Sequence, residues 1–304
     1  MGTPEFSVPA LTALHDNGHD IVAVVTNPDR PKGRGRRVLA SPVKKAADAI
    51  GFPVLQPTNA KDPGFFDRVE NFAPDLLVVV AYGQLLTKTV LSIPRLGSIN
   101  IHASLLPKYR GAAPIQWAII NGEKETGVTT MWMDEGIDTG DMLLSERVPI
   151  GPEDTAQTLH DRLAKEGADL LIRTLEQLSS GSLVATPQNH SDATYARSLK
   201  KEDGCVDWTK DATTQDAFIR GMNPWPGAFT LLAGKRFRLF RAKILCRKTS
   251  QAPGSVLDGF PGDLDVATGR GALTLREVQL DSGKRLPVAD FLRGCPVPPG
   301  TVLG

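Results

Sequence analysis

Two short stretches carry side chains that could move protons. The first is Ser98-Ile99-Asn100-Ile101-His102-Ala103-Ser104-Leu105-Leu106-Pro107. On a strand, successive side chains alternate between faces, so Asn100, His102 and Ser104 share one face while Ile99, Ile101 and Ala103 share the other. Imidazole exchanges a proton near neutral pH, and a carboxamide NH2 can donate to an oxygen that gains negative charge. The second stretch, Met131-Trp132-Met133-Asp134-Glu135-Gly136-Ile137-Asp138-Thr139-Gly140-Asp141, is an acidic loop with two glycines. A carboxylate from it, set beside His102, would hold the ring's orientation and stabilise its charged form. Asp134, Glu135, Asp138 and Asp141 all compete for that role, and spacing does not choose among them.

Those side chains need a frame, and the first half of the chain supplies one. Strand-like segments at Ile21–Thr26, Pro53–Gln56, Asp75–Tyr82, Gly97–Ala103, Val128–Met133 and Met142–Ile150 alternate with helix-like ones. Ser41-Pro42-Val43 starts a helix well, with serine as N-cap and proline in the first turn, and Gly51 ends it. Further helices are expected at Ala113–Asn121 and at Thr155–Leu178, where apolar residues recur at helical spacing. Asp75–Tyr82 is apolar on both faces, as a central parallel strand covered by helices must be. The pattern predicts an α/β domain with a doubly wound, mostly parallel sheet over residues 1–187, in which ligands bind beyond the carboxyl ends of the strands.

The chain opens on Gly2-Thr3-Pro4, which reads as the turn after a strand, whereas a parallel α/β fold normally opens with the strand itself. A first strand is therefore expected upstream, with Met1 internal to the gene product. Such a strand would sit in mid-sheet, and its loss would cost more than the roughly 5–15 kcal/mol that holds a domain together.

Residues 188–205 are polar and aperiodic and read as a linker. From residue 206 to 304 the pattern changes to short strands broken by glycine and proline: Ala228–Leu232, Arg236–Ala242, Gly254–Asp258, Asp263–Ala267 and Gly271–Leu280. Frequent turns between strands of about five residues fit a small, OB-like β-barrel.

Composition excludes several classes. The 304 residues are 41% hydrophobic and 23% charged, which rules out wholesale disorder. No apolar run approaches the roughly 18–20 residues of a membrane helix, and the first residues lack the basic start and apolar core of a signal peptide, so a soluble cytoplasmic protein is expected. Cys205, Cys246 and Cys295 lie far apart without a histidine nearby, which argues for free thiols and against a metal site. The net charge of +1 hides two acid-free basic segments. Residues 30–45 hold seven Lys and Arg, and so do Lys235–Lys248. Two such segments on a near-neutral chain suggest a polyanionic partner met at defined places.

Taken together, Asn100-x-His102-x-Ser104-Leu105-Leu106-Pro107 and the downstream Asp138-Thr139-Gly140-Asp141 resemble the formyltransferases that use 10-formyltetrahydrofolate. Three more stretches are similar to the branch of that family whose acceptor is charged initiator tRNA. They are Asn27-Pro28-Asp29-Arg30-Pro31-x-Gly33-Arg34-Gly35, Arg110-Gly111-Ala112-Ala113-Pro114-Ile115-Gln116 and Asn223-Pro224-Trp225-Pro226. The likeness covers nearly the whole chain. It implies that Asn100, His102 and Asp138 are catalytic, that Ser104, Leu105, Leu106 and Pro107 border the folate, and that no metal takes part. Tyr82, Gly83, Gln84 and Leu85, at the end of the central strand, are a plausible wall for the pterin. Arg30, Lys32, Arg34, Arg36 and Arg37 would form a glycine-containing basic loop that orders itself on an acceptor stem. Arg236, Arg238 and Arg241 would track phosphates while Phe237 and Leu239 face the interior. The implied protein is a monomer. A related enzyme with a small amine as acceptor would keep the catalytic trio but leave both basic segments unexplained.

Overall fold

The computed structural model describes residues 1–32 and 37–304. In chain order the first part runs α1 (Val8–Asp16), β1 (Val24–Val25), β2 (Arg30–Lys32), β3 (Arg37–Leu39), α2 (Pro42–Ile50), β4 (Val54–Leu55), α3 (Pro63–Glu70), β5 (Leu77–Val79), α4 (Lys88–Leu91), β6 (Ser98–His102), β7 (Arg110–Gly111), α5 (Pro114–Ile120), β8 (Glu125–Trp132), β9 (Met142–Pro149), α6 (Ala156–Ser179) and β10 (Tyr195–Ala196). Contacts group the chain into two units. The first comprises Met1–Pro114, Thr126–Pro149 and His160–Ala196, and the second Ile115–Glu125, Ile150–Leu159 and Arg197–Gly304.

Val24 and Val25 show why the first unit is layered. Both are buried, yet Val24 belongs with Leu11 of α1 and Val43 and Ala47 of α2, while Val25 belongs with Phe65 and Val69 of α3 and Leu77 and Val79 of β5. Consecutive strand residues point to opposite faces, so helices cover both sides, the doubly wound arrangement that the apolar central run predicts. Helix α2 begins as its sequence requires, the Ser41 hydroxyl accepting the Lys44 N–H at 3.0 Å, and Gly51 ends it at a φ of +96°.

The strands form two groups. β1 pairs in parallel with β4, and a four-stranded sheet runs β5-β6-β8-β9, with β5 parallel and β8 antiparallel to β6. Met1 and Gly2 join the two groups: the Gly2 N–H donates to the Val25 carbonyl at 2.9 Å, the Val80 N–H donates to the Met1 carbonyl at 2.9 Å, and the Met1 amine donates to the Val78 carbonyl at 2.6 Å. A cavity of about 730 Å³ is lined there by Val22–Val25, Leu76–Val78, Leu11, Leu14 and Leu175. β1 is two residues long where Ile21–Thr26 was expected, and Ile21, Val22 and Ala23 line this cavity without strand pairing.

Helix α6 lies close behind the sheet. A Cβ on Gly167 would meet Ile101 Cγ2 at 2.9 Å, so a larger residue would not fit without displacement. The Thr174 and Thr130 hydroxyls also meet at 2.8 Å. Ile101 thus faces α6, and its neighbours Asn100 and His102 face away from it, as strand alternation predicts.

In the second unit the chain continues with α7 (Ala212–Gly221), β11 (Ala228–Leu232), β12 (Lys235–Leu245), β13 (Leu264–Ala267), β14 (Ala272–Leu280), β15 (Leu286–Pro287) and α8 (Val288–Gly294). The pairing is antiparallel, in the order β11-β12-β14-β13 with β15 also on β14, and does not close on itself among the described residues. Gly254–Asp258, expected as a strand, makes isolated bridges instead, Ser255 to Val302 and Val256 to Val266, with backbone bonds such as Leu257 N–H to the Asp265 carbonyl at 2.8 Å. Phe237, Leu239, Leu273, Leu275 and Val278 form the interior, and Phe237 meets Phe291 of α8 at 5.1 Å between ring centres. The three thiols are free, two of them exposed.

Candidate active site

Strand β6 ends at His102, and the chain then turns through Ser104–Pro107 to reach β7. His102 is buried. Its Nε2 lies 2.9 Å from the Tyr109 carbonyl, which can only accept, so Nε2 carries the proton. That leaves Nδ1 as the atom with a changeable proton, and it lies 3.5 Å from Oδ2 of Asp138. Asn100, two residues back on the same face, is half-buried, and its amide makes no hydrogen bond among the described residues.

Of the four competing acids, Asp138 is the one brought to His102. It has a φ of +53°, a left-handed conformation that Asp and Asn tolerate better than most residues. Its Oδ2 accepts the Gly111 N–H at 2.8 Å. Asp134 instead closes its own loop, accepting from the Gly136 N–H at 3.0 Å and the Thr139 hydroxyl at 2.6 Å. Glu135 pairs with Lys88 at 2.8 Å between two solvent-exposed side chains, where water screens the attraction.

Asn100 and Asp138 line a cavity of about 340 Å³ with Gln84, Leu85, Leu86, Met131, Met133 and Ile137. The rest of the lining is polar and charged, with Lys61, Thr87, Lys88, Asp134 and Glu135, so the five apolar side chains form one part of a mixed wall. Gln84 is locked in place. Its Oε1 accepts the Ala60 N–H at 2.8 Å, and its Nε2 donates to Asn27 Oδ1 at 2.6 Å. Asn27 in turn donates to the Tyr82 carbonyl at 2.8 Å. Gln84 and Leu85 of the expected wall therefore face the cavity. Tyr82 does not, because its ring is buried in the core and burial pushes its hydroxyl pKa up to about 12. Gly83 does not line the cavity either, nor do Ser104, Leu105, Leu106 and Pro107. The Ser104 hydroxyl donates to the Lys108 carbonyl at 2.6 Å, and its own carbonyl accepts from Thr129 at 2.7 Å, so it shapes the turn after β6.

The basic residues are scattered by role. Arg30 is exposed on a two-stranded ribbon in which Arg30 pairs with Leu39 and Lys32 with Arg37. Arg34 and Arg36 lie outside the described residues. Lys44, in the same basic run, belongs to the fold: it bonds Asp29, one residue ahead of the acid-free window, and Gln56, each at 2.8 Å. On β12, Arg238 is exposed and Phe237 and Leu239 are buried, as the alternation predicts. Arg236 stacks on the Phe229 ring at 3.6 Å, and Arg241 pairs with Glu153 at 3.0 Å.

Sequence reading missed two participants. Gln188, in the stretch read as linker, is buried and donates to the carbonyls of Asp138 at 2.9 Å and Gly140 at 2.7 Å. Arg110, quoted only as part of a motif, is the largest fully buried side chain and bonds Gln188. Pairing of β10 with β7 brings this segment in. Nothing in a polar, aperiodic run signals such a contact.

Comparison with known proteins places the chain in a family. A formyl transferase model matches residues 1–175, and a model of the formyl transferase C-terminal domain matches residues 198–296. A methionyl-tRNA formyltransferase from Pelotomaculum thermopropionicum is 52% identical over 307 residues, covering 100% of this chain and 97% of that protein. One from Citrifermentans bemidjiense is 50% identical, covering 100% and 95%. Among solved structures, an N-formyltransferase from Helicobacter canadensis in complex with folinic acid and dTDP-3-aminofucose superposes with a TM-score of 0.67 over 94% of this chain and 97% of that one. At 18% identity it shares the fold. HypX from Aquifex aeolicus in complex with tetrahydrofolic acid gives 0.60 at 22% identity, over 81% of this chain and 43% of that one. With a model matched to each half in order, and relatives half identical along its whole length, the chain belongs to the formyl transferase family.

Proposed function

We infer that this enzyme transfers a formyl group from 10-formyltetrahydrofolate to the α-amine of methionyl initiator tRNA, for translation initiation. The relatives that match end to end carry that name. The observation that carries the chemistry is the meeting of His102 Nδ1 with the Asp138 carboxylate beside a cavity that Asn100 also lines. Asn100 and a protonated His102 donate to the formyl oxygen as the neutral amine adds to the formyl carbon. Asp138, through water, takes the surplus amine proton, and His102 gives its Nδ1 proton to N10 as the carbon–nitrogen bond breaks. The residues supply both charge stabilisation and proton transfer. The test is formyl transfer to charged initiator tRNA, with His102→Ala as control. Transfer that disappears in the variant supports the reading, whereas folate binding without transfer to tRNA moves the acceptor to a small amine.

Arg30, Lys32, Arg34, Arg36 and Arg37, together with Arg238 on β12, are the residues we assign to tRNA. The exposure of Arg30 and Arg238 supports this; Arg236 and Arg241 already have partners and are weaker candidates. Neutralising Arg30, Lys32, Arg34, Arg36 and Arg37 is expected to raise KM for tRNA at least about tenfold, with a steep salt dependence, and to leave KM for the folate unchanged. An unaltered tRNA requirement would remove the ribbon from the interface. The protein is read as a cytoplasmic monomer, which sedimentation of the purified chain would check; no helix among the described residues is long and apolar enough to cross a membrane.

A further inference from the structure

We propose that Arg110, acting through Gln188, is a positioning residue for Asp138. The proposal rests on the formyl-transfer reading above. Arg110 is a cation that is 1% exposed, and no carboxylate pairs with it among the described residues. Its guanidinium reaches two acceptors. Nε and Nη2 donate to Gln188 Oε1 at 3.1 and 2.6 Å, and Nη1 and Nη2 each lie 3.2 Å from His190 Nδ1. Because guanidinium nitrogens only donate, His190 Nδ1 must accept and is unprotonated in this arrangement.

The fork on Gln188 has a directional result. With its oxygen filled by two N–H groups, the amide presents its NH2 the other way, to the carbonyls of Asp138 and Gly140. Carbonyls only accept, so both ends of the amide agree on one orientation. Those two carbonyls bracket Thr139 and grip the loop where Asp138 adopts its left-handed backbone. A backbone in that region persists only when its surroundings over-determine it.

The residues either side of Arg110 complete the arrangement. The Tyr109 carbonyl accepts a hydrogen bond from His102 Nε2, and the Gly111 N–H donates to Asp138 Oδ2. Gly111 has a φ of +112°, and a Cβ there would meet the Ala196 carbonyl oxygen at 2.9 Å, so this close approach depends on glycine. Three consecutive residues thereby set the ring nitrogen, the carboxylate oxygen and, through Gln188, the backbone of the carboxylate's own loop. An ordinary buried arginine would stabilise the fold without this specific link to Asp138.

The experiment uses Gln188→Met, which keeps the length but loses the donors, and Gln188→Glu, which keeps an acceptor for Arg110 while offering no N–H to the two carbonyls. Each is made in the wild-type and Asp138→Asn backgrounds, and kcat and KM are measured for both substrates. A misplaced catalytic group should lower kcat by about 10- to 100-fold in either variant. KM for tRNA should stay within about twofold, and no further fall should appear in the Asp138→Asn background. If one variant does not fold, the other carries the test. A full additional loss in the Asp138→Asn background, or an unchanged kcat in a folded variant, would overturn the proposal. A crystal structure of either variant gives a readout that needs no activity. Asp138 Oδ2 displaced from the Gly111 N–H supports the proposal, and an undisturbed 2.8 Å contact refutes it. Should the wild-type enzyme transfer nothing to charged tRNA, the assigned reaction fails and the crystallographic arm alone decides.

Discussion

Asp138→Asn is expected to lower kcat for formyl transfer by about 10²–10⁴-fold while leaving the fold and both KM values nearly unchanged. The substitution suits the site because it changes so little else. Asparagine tolerates the left-handed φ of +53° at this position, and its amide oxygen can still accept the Gly111 N–H. What is lost is a negative charge 3.5 Å from His102 Nδ1 and an acceptor for the amine proton. Alanine would be a poorer probe, since it also removes the Gly111 contact and strains the turn. Single-turnover transfer with saturating folate and charged tRNA isolates the chemical step. A rate within a few-fold of wild type would mean that the carboxylate takes no part in proton transfer, and that His102 and Asn100 act without it.

A second large effect is expected at the cavity beside Met1. Fusing five apolar, β-branched residues to Met1 should raise the melting temperature by more than about 10 °C relative to the chain beginning at Met1. The cavity there measures about 730 Å³ and is lined mostly by Val and Leu. The cleft is partly open to solvent, so the gain comes from backbone pairing and from apolar surface removed from water, at about 25 cal/mol per Å². The fused residues would run parallel to β1 and β5 in the direction Met1–Gly2 already follow, and would pair with backbone on both sides. They would also replace a buried amine. In a chain that begins at Met1, burial lowers that amine's pKa from 8.0 to about 5. Between those values the unfolded state binds more protons than the folded one, so stability should rise as pH goes from about 5 to 8. The fusion should abolish that dependence. A Gly-Ser fusion of equal length is the control, and equal melting temperatures for the two would show that the space does not accept a strand.

Much of this was legible in the sequence, for local reasons. Alternation along Ile99-Asn100-Ile101-His102 placed the amide and imidazole on one face because a strand has no other way to arrange them. Ser41, Pro42 and Gly51 marked a helix because each satisfies a backbone demand at one particular end. Spacing alone did not tell which acid would meet His102, and only the resemblance to a family singled out Asp138. That choice depends on the path of a glycine-containing loop and on Gly111, 27 residues away in the chain. Gln188 was further out of reach, since its bond to Arg110 spans 78 residues and arises from pairing between two-residue strands. Lys44 looked like uncompensated charge because its partner Asp29 stands one residue beyond the acid-free run. The length of β1 depended on what lies beside it in space, and no property of Ile21–Thr26 contains that information.

Gly167 extends the sensitivity of the site to the far side of the sheet. It sits in α6 with its hydrogen against Ile101, the residue between Asn100 and His102. Alanine ordinarily gains about 0.5–1 kcal/mol over glycine inside a helix. Here the added methyl would push on the peptide that carries both reactive side chains. A change that makes the helix better would thus be registered as a change in catalytic geometry. Selection on turnover therefore reaches a residue that touches neither substrate, and the tolerance of this chain to genetic drift is narrower behind the sheet than a survey of its cavity walls would suggest.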